Sequence, residues 1–247
     1  MNKVSIIIPY FKKKNYINFT LSSVLAQTYK NIEVLIIYDD PNKKDLDLIK
    51  KLKKKDKRVR LIINKNNIGP GYSRNKGLKM AKGNYVAFLD ADDVWKKKKL
   101  ENQILFMKKN DINFSYTSYN QIDKNGKKIK TIFAPKHQTY ENLLKDCRIG
   151  LSTVVIKKKI LKSNFRFSKL TTKEDLFLWI QLSKKYNLIG YNKVLSDWRK
   201  LDNSLSSNTT QKILDGFRLY YQYVGFNIFK SIYYLVLLSV NFIKKNI

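Results

Sequence analysis

The segment YVAFLDADDVW, residues 85–95, runs apolar for five residues and then places three carboxylates within four positions. Its apolar part belongs to a strand predicted at 84–90 and is typical of a strand buried on both faces of a parallel sheet. Asp90, Asp92 and Asp93 repel one another at neutral pH unless a cation or a network of hydrogen bonds stabilises them. In a chain with a formal net charge of +31, this concentration of negative charge predicts a charged site at the end of a buried strand.

Three predicted strand–helix units build up to this segment. The predicted strands cover residues 3–10, 32–40, 58–64 and 84–90, and the predicted helices cover 15–29, 44–55 and 71–83. Gly83 is expected to cap the third helix. This order predicts an α/β fold with a mostly parallel sheet and helices on both faces. Ligands of such sheets bind outside the carboxyl ends of the strands, where Pro9, Asp39, Asp40 and residues 90–93 fall.

Beyond residue 111 the pattern changes to a mixed region that is expected to pack on the first half. The predicted elements are an extended pair at 112–122 and 127–134, a strand at 152–158, a helix at 172–187, and strands or loop at 187–200. An Asn-Gly turn in DKNGK, residues 123–127, joins the extended pair.

The C-terminal residues 217–247 differ in character from the rest of the chain. One predicted helical stripe contains Phe217, Tyr221, Val224, Ile228, Leu235 and Phe242, and Lys230, Asn241 and Lys244 lie roughly opposite. The uninterrupted apolar run, 232–238, is too short for a bilayer that needs about 20 apolar residues. The pattern predicts an interfacial helix with flanking lysines, while packing against the core or against a second subunit is the alternative.

The strong positive charge has two explanations. One is a compositional drift toward Lys, Asn and Ile, and the other is attraction to a polyanion, either nucleic acid or an anionic membrane. Only seven of the fifty basic residues are Arg, which weakens the nucleic-acid explanation because the guanidinium group is the better reader of bases and phosphates. One cysteine, Cys147, and one histidine, His137, exclude an internal disulfide and a His-rich metal site, and a reducing compartment fits. The N-terminal run is too short for a signal peptide, so a cytoplasmic location is expected.

The carboxylates at 90–93 fit a hard divalent cation. Mg²⁺ or Mn²⁺ prefers oxygen ligands and often takes only one or two from the protein and others from substrate phosphates. The segment therefore predicts a metal that in turn holds a diphosphate. The alternative is that Asp92 or Asp93 caps a helix starting near Trp95.

Together these segments resemble the family 2 glycosyltransferases, which have the GT-A fold. The resemblance rests on VSIIIPYF, LSSVLAQTYKNIEVLIIYDDP and NIGPGYSRNKGLKMAKGNYVAFLDADDVWKKKKLENQ, which lie within residues 3–105. It resumes at TKEDLFLWIQL and, more loosely, at SDWRKLDNSLSSN. It implies an inverting transfer of a sugar from a nucleotide diphosphate, expected to be UDP, to a saccharide or lipid-linked glycan in cell-surface polysaccharide or lipopolysaccharide synthesis. The expected location is peripheral, at an anionic membrane surface on the inner face of the plasma membrane.

The resemblance also divides the chain into three parts. Residues 1–110 correspond to the nucleotide-sugar-binding half of the domain, and 111–210 correspond to its acceptor-binding half. The remaining residues, 211–247, are the C-terminal segment, which the helical pattern described above predicts to associate with a membrane or with a second copy of the chain.

The resemblance implies roles for individual donor-site residues. Asp90, Ala91 and Asp92 match the Asp-x-Asp motif, in which Asp92 coordinates the metal and Asp90 contacts the ribose or the metal. Pro9 and Phe11 match the end of the first strand, where an aromatic ring stacks on the base. The base-reading acidic position falls on Asp39 or Asp40, with Asp40 favoured, and Arg74 matches a position near the phosphates.

The catalytic residue implied by the resemblance is Asp175, the second member of a Glu-Asp pair at a helix start. A carboxylate there can take the proton of the attacking hydroxyl. The alternative is that Glu174 and Asp175 only stabilise the helix N-terminus. Trp198 and Arg199 match a segment that closes over the diphosphate, but Leu201 stands where many relatives have a histidine.

Three other functions are weighed against this one. A haloacid-dehalogenase-like phosphohydrolase also uses Asp-x-Asp, but its motif follows the first strand, and here three strand–helix units come before it. A Rossmann dehydrogenase needs a third glycine that GPGYSR lacks. A basic nucleic-acid-binding protein without catalysis explains the charge but leaves the carboxylates unexplained.

Overall fold

The computed structural model describes residues 2–161, 164–202 and 208–244. Its strands are β1 (Val4–Tyr10), β2 (Ile32–Tyr38), β3 (Val59–Ile63), β4 (Tyr85–Phe88), β5 (Val94–Trp95), β6 (Phe114–Ile122), β7 (Lys128–Ile132), β8 (His137–Gln138), β9 (Val155–Lys157) and β10 (Leu188–Arg199). Its α-helices are α1 (Ile17–Leu25), α2 (Leu46–Lys55), α3 (Gly69–Met80), α4 (Lys99–Lys109), α5 (Tyr140–Lys145), α6 (Glu174–Ser183), α7 (Thr209–Arg218) and α8 (Ile228–Lys244). All the described strands join one sheet in the order β3-β2-β1-β4-β9-β6-β10-β5, with β7 on β6 and β8 on β10.

The first half of this sheet is parallel, as predicted. β1 pairs with β2 and β4, and β2 pairs with β3, all in parallel register. Alternate residues of β1 enter different cores, because successive side chains of a strand point to opposite faces. Ile6 and Ile8 pack in the core that contains α1, α2 and α4, and Ile7 packs in the core that contains α6. The predicted α/β class with helices on both faces is therefore confirmed.

The second half continues the same sheet. β9 runs antiparallel to both β4 and β6 and so connects the two halves, while β10 runs parallel to β6 along nine residue pairs. The indole of Trp179 in α6 packs against Phe88, Phe114 and Phe167, with a centroid distance of 5.0 Å to Phe114. Because Trp179 is fully buried, this aromatic cluster fixes α6 beneath the strands of both halves.

One local prediction in the first half, the cap at Gly83, is wrong, and so is the alternative interpretation of Asp93 as a helix cap. Gly83 is not a helix cap, because α3 already ends at Met80. A Cβ on Gly83 would lie 2.7 Å from the carbonyl oxygen of Lys3, so a glycine there allows the chain to pass close to the start of β1. Asp93 does not cap a helix at Trp95, because Val94–Trp95 is a short strand and α4 begins only at Lys99.

The predicted C-terminal stripe is also wrong. α7 continues into a π-helical turn over Leu219–Val224, and the chain then reverses at Gly225, whose φ is +83°, before α8 begins. This break separates residues that one continuous helix would have aligned. The side chains of this segment that lie in the core are Leu219, Tyr220, Tyr234 and Leu238. In the part of the chain that the structure describes, no helix is both long enough and apolar enough to cross a bilayer.

Candidate active site

The predicted donor-site residues meet at one edge of the sheet. Parallel pairing aligns Tyr10 at the end of β1 with Tyr38 at the end of β2, and Ile7 with Phe88 in β4. The residues that follow these three strands therefore lie side by side. They include Phe11, Asp39, Asp40, Asp90, Ala91 and Asp92, and Pro9 lies at the same edge, within β1 and paired with Ile37. Phe11 is 38% exposed, and the Lys12 ammonium lies 4.9 Å from the centroid of its ring.

The two acidic residues after β2 have different environments. Asp39 accepts hydrogen bonds from the backbone N–H groups of Ile68 and Gly69 at 2.9 Å, so its carboxylate holds the loop that leads into α3. Among the described residues, the Asp40 carboxylate accepts one hydrogen bond, from the N–H of Asn42 to Oδ1. Its Oδ2 is buried and has no hydrogen-bond partner among the described residues. An orphaned buried acceptor is costly, and this is the property expected of a group that a ligand N–H satisfies.

The third acidic residue of the 90–93 run belongs to the scaffold. Asp93 is buried and accepts hydrogen bonds from the Ser152 hydroxyl at 2.5 Å and from the Arg199 N–H at 2.9 Å. Burial, with the charges of Asp92 and Asp90, raises the pKa of Asp93 well above its ordinary value. Ser152 also accepts the N–H of Asp90, so one hydroxyl fastens both ends of the acidic loop.

Asp90 and Asp92 are the carboxylates that remain available to a cation. One Asp90 oxygen pairs with Arg74 at 2.7 Å while its side chain stays 33% exposed, and Asp92 pairs with Lys13 at 2.6 Å. Burial raises the pKa of Asp92 even though Lys13 opposes that shift. Nowhere in residues 2–161, 164–202 and 208–244 do three His, Cys, Asp or Glu side chains converge to hold an ion. Two hard oxygen donors nevertheless fit an Mg²⁺ or Mn²⁺ ion that takes its other ligands from a diphosphate and water.

Arg74 joins the donor side to the second half of the chain. Its guanidinium is 4% exposed and forms ion pairs with Glu174 at 2.6 Å and with Asp90 at 2.7 Å. Burial disfavours its charge, but Asp90 and Glu174 outweigh burial and raise the pKa of Arg74. The phosphate contact expected for Arg74 stays a prediction. The contacts present are with carboxylates, and they connect α3, the end of β4 and the start of α6.

Close packing of α3 makes this connection possible. A Cβ on Gly71 would lie 2.5 Å from the carbonyl oxygen of Ser168 and 3.1 Å from Cγ of Glu174. No side chain fits there unless the backbone moves. Gly71 therefore lets the first turn of α3 lie directly against the segment that leads into α6.

Asp175 lies in the first turn of α6, beside the ion pairs of Arg74. Its Oδ1 accepts the N–H of Leu176 at 2.8 Å, and the residue is partly exposed. Burial and the charge of Asp90 raise the pKa of Asp175, against the lowering effects of Arg74, Leu176 and Lys173. Asp175 directly follows Glu174, whose carboxylate shares the Arg74 guanidinium with Asp90, so the predicted base lies near the predicted donor carboxylate Asp90. A raised pKa also makes a carboxylate a stronger base.

Arg199 supports the acidic loop from the other side. Its Nε donates to the Asp92 carbonyl at 3.0 Å, and one terminal nitrogen donates to the carbonyls of Asp123 and Lys124. Trp198, next to it, is partly exposed. Closure of this segment over a diphosphate stays a prediction, and residues 203–207 of the segment 196–208 lie outside the described residues.

Two contributors to the site were missed from the sequence. Lys13 is one of three consecutive lysines, and nothing in that run distinguishes the one that reaches Asp92. Ser152 is separated from Asp93 by 59 positions, and its neighbours carry no motif. Both contacts depend on long-range pairing of chain segments, which local patterns do not encode.

Comparisons with known proteins identify the family of this chain. The family model for glycosyl transferase family 2 matches residues 5–162. The chain is 34% identical to the putative teichuronic acid biosynthesis glycosyltransferase TuaG of Bacillus subtilis over 246 residues, covering 99% of this chain and 97% of the relative. It is 38% identical to WfgD of Escherichia coli, a UDP-Glc:α-D-GlcNAc-diphosphoundecaprenol β-1,3-glucosyltransferase, covering 98% of this chain and 94% of that enzyme.

Solved structures share the fold at lower identity. S. aureus TarS 1–349 in complex with UDP-GlcNAc superposes with a TM-score of 0.70 at 20% identity, covering 96% of this chain and 71% of that chain. The mannosyltransferase PcManGT from Pyrobaculum calidifontis, in complex with GDP-Man and Mn²⁺, gives 0.69 at 14% identity, covering 97% of this chain and 73% of that protein. These likenesses confirm the GT-A fold.

The pKa of Glu174 gives a testable pH dependence. Burial raises this pKa from 4.5 to about 7, with Arg74 opposing the shift and Asp175 adding to it. The folded protein therefore binds this proton more tightly than the unfolded chain does. Its contribution to the free energy of unfolding is complete below pH 4.5 and is lost as the pH rises to about 7. Glu174→Gln cannot ionise, so this variant should lose less stability than the wild type between pH 5 and pH 7.5 in urea unfolding. If the free energy of unfolding of both proteins changes equally over this pH range, the raised pKa of Glu174 is contradicted.

Proposed function

This chain belongs to glycosyltransferase family 2, and we propose that it is an inverting, metal-dependent hexosyltransferase acting on a lipid-linked saccharide. The observation that carries the proposal is the arrangement around Arg74. Ion pairs place the donor carboxylate Asp90 and the helix start bearing Asp175 on two sides of one buried guanidinium. A transferase needs these two functions, donor binding and proton removal, at neighbouring positions.

The proposed donor is a UDP-sugar. The exposed ring of Phe11, at the end of β1 beside Pro9, offers a face for stacking on the base. The unsatisfied Oδ2 of Asp40 supplies an acceptor for a base N–H, which uracil has at its N3 position. UDP-Glc is the donor in the name of the E. coli relative, and UDP-GlcNAc is bound in the TarS structure. Asp39 is left out of base reading because its carboxylate already accepts two backbone N–H groups.

Asp92 and Asp90 are the residues that would hold the metal. A bound divalent ion supplies Lewis-acid stabilisation of the departing diphosphate. Arg74 and Arg199 prepare this site, since Arg74 fixes one Asp90 oxygen and Arg199 fixes the main chain at Asp92. The Mn²⁺ of the mannosyltransferase structure supports the same class of ion here.

Asp175 is the proposed general base. Its carboxylate takes the proton of the acceptor hydroxyl as that oxygen attacks the anomeric carbon. The bond between this carbon and the diphosphate oxygen breaks in the same step, and UDP leaves. A single attack from the face opposite the leaving group inverts the configuration of the sugar. Glu174 does not compete for the role, because it is buried and its carboxylate pairs with Arg74.

The proposed acceptor is a saccharide carried on a polyprenyl diphosphate. This follows from the name of the E. coli enzyme, which acts on α-D-GlcNAc-diphosphoundecaprenol. The Bacillus subtilis relative is named for teichuronic acid synthesis, which is also the synthesis of a polysaccharide. The product is then an intermediate in cell-surface polysaccharide synthesis.

The proposed roles predict the effect of two substitutions. Asp175→Asn should lower the metal-dependent formation of UDP from UDP-Glc and a GlcNAc-diphosphate-lipid acceptor by about 10²- to 10⁴-fold, because it removes the base. Asp92→Ala should abolish the reaction and its response to Mn²⁺. Asp47→Asn is the matched control, since Asp47 is an exposed carboxylate of α2, and it should change the rate less than twofold. Full activity in Asp175→Asn with an active acceptor would show that another group is the base.

We also propose that α8 holds the enzyme at the membrane that contains such an acceptor. Its outer face exposes a continuous apolar stripe, named here the α8 stripe. The stripe consists of Phe229, Ile232, Tyr233, Val236, Val240 and Ile243. These positions recur at helical spacing, and the core-facing residues Tyr234 and Leu238 lie on the opposite side. α8 therefore has two apolar faces, and only one of them is used within the described chain.

Charge complementarity favours an anionic lipid surface as the occupant of this stripe. Between residues 209 and 244 the exposed charged side chains are Arg218, Lys230 and Lys244. The single acidic residue there, Asp215, is buried and accepts the N–H of Thr172. Lysines beside an apolar helix face are typical of helices that lie in the membrane interface.

A vesicle experiment tests the α8 stripe. The triple variant Phe229→Ser, Ile232→Ser and Val236→Ser should lose most of the sedimentation with phosphatidylglycerol vesicles that the wild type shows. The control triple variant Leu105→Ser, Ile129→Ser and Phe133→Ser removes three equally exposed apolar side chains elsewhere, and it should bind as the wild type does.

Two outcomes would overturn the membrane role. One is equal binding of both triple variants. The other is a dimer of the wild type in sedimentation velocity that only the α8 variant disrupts, because the stripe would then belong to a contact between two copies of the chain.

A further inference from the structure

Lys13, which the sequence did not predict as a site residue, forms an ion pair with Asp92. Its ammonium lies 2.6 Å from Oδ2 of Asp92, and both side chains are largely shielded from water, with exposures of 25% and 14%. Lys13 lies between β1 and α1, directly after Lys12, whose φ is +50°. A left-handed backbone at a non-glycine residue costs free energy and often accompanies a functional constraint. The loop is therefore held in a shape that delivers one ammonium to the acidic loop.

This ammonium and a divalent cation compete for the same carboxylate. An oxygen that pairs with an ammonium at 2.6 Å has that side of the atom occupied. Two cations in contact with one carboxylate also repel each other, and the repulsion is strong where water is largely excluded. A metal ion that uses Asp92 must therefore displace Lys13 or share the carboxylate at a cost.

Displacement of Lys13 leaves its charge without a partner unless a new anion arrives. Asp92 is its ion-pair partner among the described residues. The diphosphate of a nucleotide sugar, held by a metal at Asp92, would bring negative charge to the same place. The donor therefore offsets the cost of releasing Lys13, whereas the metal alone does not.

We propose that Lys13 is the resident counter-cation of Asp92, which keeps divalent metal from binding well until the donor diphosphate accompanies it. This inference rests on the proposed donor and metal site. The competition by Lys13 makes the binding of the metal ion and the binding of the donor diphosphate cooperative. By linkage, the factor by which UDP tightens Mn²⁺ binding equals the factor by which Mn²⁺ tightens UDP binding. Lys13 enlarges that factor by weakening the binding of the metal alone.

The neighbouring lysine provides a matched control. Lys12 carries the same charge one residue away, and its ammonium lies over the Phe11 ring at 4.9 Å. No carboxylate pairs with Lys12 in the described parts of the chain. Lys12→Met and Lys13→Met therefore remove the same net charge, and only Lys13→Met removes the contact with Asp92.

Binding of Mn²⁺, followed through the electron paramagnetic resonance signal of the free ion, tests the proposal without any turnover. Without nucleotide, Lys13→Met should bind Mn²⁺ about fivefold more tightly than the wild type, the scale of one partly exposed ion pair. Lys12→Met should stay within about twofold of the wild type. With saturating UDP, the advantage of Lys13→Met should disappear, because the diphosphate then offsets the cost of displacing Lys13 in the wild type.

The result that overturns the role of Lys13 differs from the result that overturns the proposed function. Lys13→Met with the same or weaker affinity than Lys12→Met, in a protein whose UDP complex still binds Mn²⁺, would show that Lys13 does not compete with metal. An absence of Mn²⁺ binding to the wild type with UDP, or unchanged binding in Asp92→Asn, would instead remove the metal site and with it the competition.

Discussion

The site depends on the two ion pairs that the buried guanidinium of Arg74 forms with Asp90 and Glu174. The guanidinium neutralises Asp90 and Glu174, which come from positions 16 residues and 100 residues away in the chain. Breaking such a buried pair from one side typically costs about 3–5 kcal/mol, because an uncompensated charge stays behind. The pairs therefore fix the relative position of three elements whose sequences are far apart. The acidic loop after β4 and the first turn of α6 are therefore held beside the same guanidinium.

Several other features serve this placement. Parallel strands bring the ends of β1, β2 and β4 to one edge, so the base-binding and metal-binding candidates lie together. Gly71 lets α3 approach α6 closely enough for Arg74 to reach Glu174. Ser152 and Arg199 hold the acidic loop through Asp93, while Asp90 and Asp92 pair with Arg74 and Lys13. Three neighbouring carboxylates are tolerated in this loop because each has a different partner: Asp90 pairs with Arg74, Asp92 pairs with Lys13, and Asp93 accepts hydrogen bonds from Ser152 and Arg199.

The residues at the carboxyl-end edge of the sheet were predictable from the sequence. The ion pairs that connect these residues to α6 were not. The apolar pattern of VSIIIPY and IEVLIIY predicts buried strands, and the residues that follow these strands are therefore predicted to lie at the carboxyl-end edge of the sheet. Asp90, Asp92 and Asp175 were chosen from motifs and from a family resemblance. Their candidate roles therefore did not depend on knowing the fold. The pairing of Arg74 with Glu174 depends on β9 and β6 joining the sheet, which no local pattern encodes.

The C-terminal segment shows the same limit at a smaller scale. Helical periodicity aligned Phe217 with Ile228 and Leu235, but the π-helical turn and Gly225 break that register. The residues that pack inward are instead Tyr234 and Leu238, and the opposite side of α8 is left exposed. A single glycine in the left-handed region thus changed which residues face the core. The amphipathic character was predictable, and the identity of the exposed face required the structure.

We propose that Arg74 acts through Glu174 and Asp90 to hold the proposed donor side and the proposed base side together as one site. A double-mutant cycle on the rate of Mn²⁺-dependent UDP formation tests it most directly, with Arg74→Met, Glu174→Gln and the combined variant. If the residues act as a unit, the combined variant should be no slower than Arg74→Met alone, and the free-energy losses should fall short of additivity by about 1–3 kcal/mol. Losses that add to within about 0.5 kcal/mol would show two independent residues and contradict the account.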